Sequence, residues 1–141
     1  MAKAFVIDNS IVMTWCFRDE PSPLAETVLD RLVDAAAHVP SIWPFEVVNV
    51  LLVAERLKLI SEADGIRFIE LLTRLPIVVE SEGPGQMMKD LLSLARTHRL
   101  SSYDAAYLDL AIKKGLPLAT ADEKLRQAAA AVRVPLVRPD R

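Results

Sequence analysis

Cysteine occurs once, as Cys16, so no disulfide can form within the chain, and such usage suits a reducing compartment. No apolar run reaches the roughly 20 residues of a membrane-spanning helix. The longest, Val47 to Ala54, is broken by Asn49. No basic segment leads into a long apolar stretch, because Asp8 interrupts the first one, so no secretory signal is expected. The expectation is a cytoplasmic protein with no membrane partner. Aromatic residues make up only 6% of the chain and formal net charge is −2, which excludes a strongly basic nucleic-acid coat. There is no G-x-G-x-x-G fingerprint, Walker loop or G-x-S-x-G elbow. One cysteine and two distant histidines, His38 and His98, give no zinc-ligand spacing. Both histidines read as surface or loop residues rather than bases.

What remains is an aliphatic, globular composition. The 141 residues, 52% of them hydrophobic, fit a single domain spanning 1–141 with a core of its own. No repeat, low-complexity tract or linker divides it. Charge is uneven: seven Lys/Arg face thirteen Asp/Glu before Gly85, and ten face six from Gly85 onward. The basic residues Lys113, Lys114, Lys124, Arg126, Arg133 and Arg138 read either as a solvated surface or as the wall of a groove for a polyanion.

Strands and helices alternate along the chain. Lys3 to Asp8 reads as a strand, and Asn9 or Ser10 as the cap of a short helix through Phe17. After the polar break Arg18-Asp19-Glu20-Pro21, Ser22-Pro23 has the form of an N-cap and first-turn proline for a helix to about Ala37. His38 to Ser41 is a second strand or loop, and Trp43-Pro44 opens a helix to about Leu59. Ser61-x-x-Asp64 is a capping box for a helix to Arg74. Pro76 to Glu80 is a third strand, Gly83-Pro84-Gly85 a turn, and Gln86 to Arg99 a helix. Ser101 to Lys114 is a helix stopped by Gly115. Leu116 to Thr120 is a strand, Glu123 to Val132 a helix, and Val134 to Val137 a last strand. The alternation predicts a parallel sheet covered on both faces, with every strand's carboxyl end on one rim.

Four acids point to that rim. Asp8 follows Phe5-Val6-Ile7 directly, and carboxyl ends of strands are where ligands bind in open α/β sheets. Its plain alternative is a helix N-cap. Glu46 and Asn49 are the only polar side chains between Trp43 and Ala54, an otherwise apolar helix that reads as buried all round. A buried carboxylate costs several kcal/mol, on the order of a lost ion pair, unless it is paired or holds a metal. Asp104 lies in Ser101-Ser102-Tyr103-Asp104, which also fits a capping box. Asp122 follows Leu118-Ala119-Thr120; Thr120 to Glu123 forms a possible capping box, which leaves Asp122 free. Clustered carboxylates repel and need a counter-charge, and hard oxygen ligands suit Mg²⁺ or Mn²⁺.

Val6-Ile7-Asp8-Asn9-Ser10, Pro44-x-Glu46-x-x-Asn49, Ser102-Tyr103-Asp104-Ala105-Ala106-Tyr107 and Thr120-Ala121-Asp122-x-x-Leu125 together resemble the PIN domain, and more narrowly the VapC-type toxins of bacterial toxin–antitoxin pairs. The resemblance runs from Ala4 to about Pro135. It implies a three-layer α/β/α fold with a five-stranded parallel sheet, and a Mg²⁺- or Mn²⁺-dependent endoribonuclease. It carries Asp8, Glu46, Asp104 and Asp122 onto a catalytic, metal-binding acid site, with Ser10, Asn49 and Thr120 orienting ligands or water. It also implies an RNA substrate and a VapB-type antitoxin that blocks or distorts the site. Helix faces rich in Leu and Val, such as Val47 to Leu57, exceed what one sheet needs to cover and suit a homodimer or the antitoxin. Asn9 departs from the Thr or Ala of many relatives. Two other readings stay open: a PIN-like domain that binds RNA or protein without cleaving, and a small phosphohydrolase on another α/β fold. Against an aspartyl-nucleophile phosphatase, the position two residues after Asp8 is Ser10 rather than a second Asp.

Overall fold

Phe5, Val6 and Ile7 have no exposed surface and form β1 (Phe5–Ile7), an uninterrupted apolar strand of the kind a sheet covered on both faces requires. The computed structural model describes residues 3–17, 21–81 and 83–140. β1 lies between β2 (Ala37–Pro40) and β4 (Leu118–Ala119), and β3 (Ile77–Glu80) pairs with the far side of β2. All pairings are parallel, in the order β3-β2-β1-β4. Helices cover the sheet, as the alternating pattern predicts.

The expected fifth strand is reduced to a single bridge, Leu118 to Leu136, flanked by Leu118 N–H to Pro135 C=O at 2.9 Å and Val137 N–H to Leu118 C=O at 2.9 Å. Pro135 has no N–H to extend the ladder. The described sheet therefore has four strands where five were expected.

The helices are α1 (Asn9–Cys16), α2 (Pro23–Arg31), α3 (Trp43–Arg56), α4 (Glu62–Thr73), α5 (Pro84–His98), α6 (Ser102–Lys114) and α7 (Glu123–Ala131). Ser22 caps α2 by accepting from Ala25 N–H at 3.1 Å. Ser61 and Asp64 complete their capping box, and Gly115 ends α6 at φ 64°. Several boundaries differ from expectation. Asn9 and Ser10 lie inside α1 rather than capping it, with Asp8 at the cap position. α2 stops at Arg31 because Ala37 is already in β2. Pro84 begins α5 instead of forming a turn, since proline's fixed φ suits a first helical position. Arg18, Asp19 and Glu20 of the expected polar break lie outside the described residues.

α3 is not buried all round. Val47 and Leu51 face the core, but Phe45, Val48, Leu52 and Val53 are exposed. His38 is part of β2 rather than a loop, half-buried, with Nδ1 2.7 Å from Glu80 Oε1. The basic residues are largely engaged within the chain. Lys113 pairs with Asp90 at 3.1 Å and Asp109 at 2.9 Å, and Lys114 with Glu80 at 3.1 Å. These two lysines brace α6 against α5 and β3, and do not form a free polyanion groove.

Candidate active site

The carboxyl end of β1 delivers Asp8 into a position 5% exposed. Although Asp8 occupies the N-cap position of α1, its side chain makes no capping bond. It turns instead toward hydroxyls: Ser10 Oγ donates to Oδ2 at 2.7 Å, and Thr120 Oγ1 donates to the same oxygen at 2.8 Å. Parallel pairing of β1 with β4 brings residues so distant in the chain together. The same hydroxyls accept backbone N–H groups, Ser10 from Ala121 at 3.0 Å and Thr120 from Asp122 at 3.0 Å. The segments 8–10 and 120–122 are thus knitted from both sides. Burial raises the Asp8 pKa, and the two hydroxyl bonds pull it back only in part.

Glu46 stands in the first turn of α3, half-buried. Tyr107, with no exposed surface, reaches up from α6 and donates its hydroxyl to Glu46 Oε1 at 2.5 Å. Burial raises the Glu46 pKa, the Tyr107 bond opposes this, and the charges of Asp8 and Asp104 add to the rise. Burial and carboxylate neighbours push the Tyr107 hydroxyl strongly upward, so it stays protonated and remains a donor. Asp104 lies in the first turn of α6, where its N–H donates to Ser101 Oγ at 3.1 Å. Burial raises its pKa first, then the charges of Asp8 and Asp122, with Ser101 and Lys124 acting the other way.

The fourth acid departs from expectation. Asp122, not Thr120, is the N-cap of α7: its Oδ1 accepts Lys124 N–H at 2.9 Å and Leu125 N–H at 3.3 Å. Thr120 cannot take that role because its hydroxyl already serves Asp8 and the Asp122 N–H. Asp122 therefore spends Oδ1 on the helix, and its Oδ2 makes no hydrogen bond among the described residues.

The four carboxylates share one electrostatic field, in which Asp8 and Asp104 act on Glu46, and Asp8 and Asp122 act on Asp104. Among the described residues none of the four has a salt-bridge partner. Such a set has the donor chemistry of a hard divalent cation, oxygen only and uncompensated in charge. As the side chains stand, no group of three acids among the described residues is set to enclose an ion. The fit is therefore one of donor type and charge.

Of the residues expected to orient ligands, Ser10 and Thr120 both bond Asp8. Asn49 does not bond Glu46; it is exposed one turn further along α3 and lines the same hollow as Glu46. Tyr107 is the residue whose role the sequence did not disclose. Its only signal is position, three residues after Asp104 on one face of α6.

A family model described as the PIN domain matches residues 5–131. Ribonuclease VapC3 of Pyrobaculum aerophilum is 29% identical over 122 residues, covering 86% of this chain and 92% of that protein. A crystal structure of a protein from Pyrobaculum aerophilum superposes with a TM-score of 0.69 at 21% identity, covering 95% of this chain and 98% of that one. A toxin–antitoxin complex from Klebsiella pneumoniae contains a chain with TM-score 0.61 at 15% identity, covering 94% and 95%. At these identities the two structures establish a shared architecture.

Proposed function

The chain belongs to the PIN domain family, and from that premise we propose that it is a divalent-metal-dependent endoribonuclease, acting as the toxin of a toxin–antitoxin pair. The carrying observation is the meeting of Asp8, Glu46, Asp104 and Asp122 in one field with no cationic side chain paired to any of them. The likeness to a ribonuclease over most of both chains supports the reading, as does the kinship in fold with a chain from a toxin–antitoxin complex.

Asp8, Glu46, Asp104 and the Oδ2 of Asp122 would hold Mg²⁺ or Mn²⁺. The bound cation would supply charge neutralisation for the phosphodiester and a lowered pKa for water. The chain's own side chains do the rest. Ser10 and Thr120 fix the rotamer of Asp8 by donating to its Oδ2. Tyr107 holds Glu46 by Oε1, leaving Oε2 to take a proton from the attacking water. The raised pKa of Glu46 makes it a better base than an ordinary surface glutamate. Lys124 and Arg126, at the start of α7, would meet RNA phosphates by exchanging their present bonds to the Arg99 and Thr120 carbonyls.

The exposed Val53 and Leu57, toward the far end of α3, are suited to the partners proposed for such a toxin, a VapB-type antitoxin and a second copy of the chain. No helix among the described residues is long and apolar enough to cross a membrane.

The deciding experiment incubates purified protein with single-stranded RNA in Mg²⁺, Mn²⁺ or a chelator, beside Asp104→Asn. Cleavage that needs the metal and is lost in the variant is the expected result. Equal cleavage by the variant, or none by either protein, would sink the nuclease reading and favour a domain that binds without cutting.

A further inference from the structure

The aromatic side chains are few, and their distribution is not random with respect to the acid site. Phe5 and Tyr107 have no exposed surface, Trp43 and Phe68 are 8% exposed, and Trp15 and Phe17 are half-buried. Phe45 and Tyr103 alone are open to solvent, at 72% and 54%. Each immediately precedes a proposed site acid, Phe45 before Glu46 on α3 and Tyr103 before Asp104 on α6. Although far apart in the chain, both line one hollow, together with Glu46, Asn49, Val48 and Leu52. Both also line the neighbouring cleft that includes Met87 and Leu91 of α5, so the two rings stand between the hollows. Exposing an aromatic ring forgoes a large burial gain, so two exposed together beside a polar site call for an occupant.

We propose that this hollow is a nucleobase subsite, in which an unpaired base next to the scissile phosphate stacks on Phe45 and Tyr103 while the Asn49 amide reads its edge. The proposal rests on the nuclease reading and deepens it by assigning substrate contacts. A base suits the hollow better than an apolar protein segment for two reasons. Glu46 itself lines the hollow, so a strand whose phosphate lies at that acid has a neighbouring base within reach. The lining also carries the exposed Asn49 amide, which makes no hydrogen bond among the described residues and offers both donor and acceptor. Bases are neutral, so the acidic surroundings that repel a backbone phosphate do not repel a ring. Recognition of RNA by sequence commonly works in this way, with splayed bases stacked on aromatic side chains.

The test uses single-stranded oligoribonucleotides carrying 2-aminopurine, whose fluorescence is quenched by stacking, with the full chain held in chelator so that nothing is cut. The parent is expected to quench the probe. Phe45→Leu and Tyr103→Leu are each expected to abolish the quench and to weaken binding about 5- to 150-fold, the range measured for one base–aromatic stack. Asn49→Ala is expected to keep the quench but flatten preference among bases at that position. Both aromatic positions are exposed, so unchanged melting temperatures will show that folding is intact. Quenching retained in both leucine variants overturns the subsite. So do leucine variants that bind RNA normally but lose self-association in sedimentation, because the rings then serve a protein interface. Because the readout is binding, quenching by a parent that never cleaves RNA would leave the subsite standing and remove only the nuclease assignment.

Discussion

Tyr107, with no surface exposed, donates its hydroxyl to Glu46 Oε1 at 2.5 Å across a sequence gap of 61 residues. The bond ties α6 to the first turn of α3 and sets the rotamer of the proposed base. It also pulls the Glu46 pKa down against the effect of burial. Tyr107→Phe keeps the ring and removes the bond. The Glu46 pKa must then rise, so more of it is protonated at a given pH. The acid limb of the pH–rate profile is expected to move to higher pH, and the rate at neutral pH to fall about tenfold, a fraction of the roughly 10²- to 10⁴-fold that a positioned general base contributes. An unshifted acid limb would show that another group takes the proton.

Asp8 sets a second expectation through linkage. Its native pKa is raised above 3.8 by burial, so between that value and its native pKa the folded state binds more protons than the unfolded state. The metal-free protein therefore loses stability as pH climbs through that interval, and carries the full penalty above it. Asp8→Asn cannot ionise and still offers an oxygen to Ser10 and Thr120. In chelator at neutral pH its melting temperature is expected to exceed the parent's, with a weaker dependence on pH. Adding Mn²⁺ should raise the parent's melting temperature and leave the variant's unmoved. A variant that melts below the parent in chelator would contradict the burial cost assigned to Asp8.

Thr120 separates support from ligation. It is fully buried and serves both Asp8 and the Asp122 N–H. Thr120→Val keeps the shape but removes the hydroxyl, at a cost of about 1–3 kcal/mol for the groups left unpaired. Mn²⁺ affinity by calorimetry is expected to fall about 10- to 100-fold, the usual price of losing a group that orients a ligand. Thr120→Ser should restore most of that affinity. Valine and serine variants with equal affinity would show that the hydroxyl plays no part.

Asp122 carries two duties that a pair of variants can divide. Asp122→Ala loses the α7 cap and is expected to destabilise the fold by about 0.5–2 kcal/mol. Asp122→Ser restores a capping oxygen and should recover that stability in denaturant titration. If the carboxylate also serves the cleft, RNA cleavage stays low in both. Parental cleavage by the serine variant would reduce Asp122 to a cap.

These residues also show what the chain disclosed before folding. Asp8 was legible because an apolar strand ending in an acid places that acid at the rim whatever the details of the sheet. Glu46 was legible because a carboxylate in an apolar helix must have a reason. Asp122 was expected to be free of capping and is the cap of α7: cap assignment depends on which hydroxyl is free, and Thr120 is taken by a residue 112 positions away. Tyr107 was hidden because a tyrosine in an apolar helix reads as core until its partner is known. The outer side of α3 was misread for a related reason. Apolarity all round says that a helix avoids water, but not whether its own domain covers it, and Phe45, Val48 and Leu52 are left bare. The last strand failed on one residue, since Pro135 could be seen but the register that made it limiting could not.

The stitching of residues 8–10 to 120–122 has a consequence for synthesis. A ribosome that has made Asp8, Glu46 and Asp104 has not yet made Thr120, and Asp8 has no strand β4 to lie against. A prematurely terminated product of this kind carries most of the acids but lacks the clasp that aims the first of them. In the toxin proposed above, the acid site would be completed only once both halves of the clasp have met.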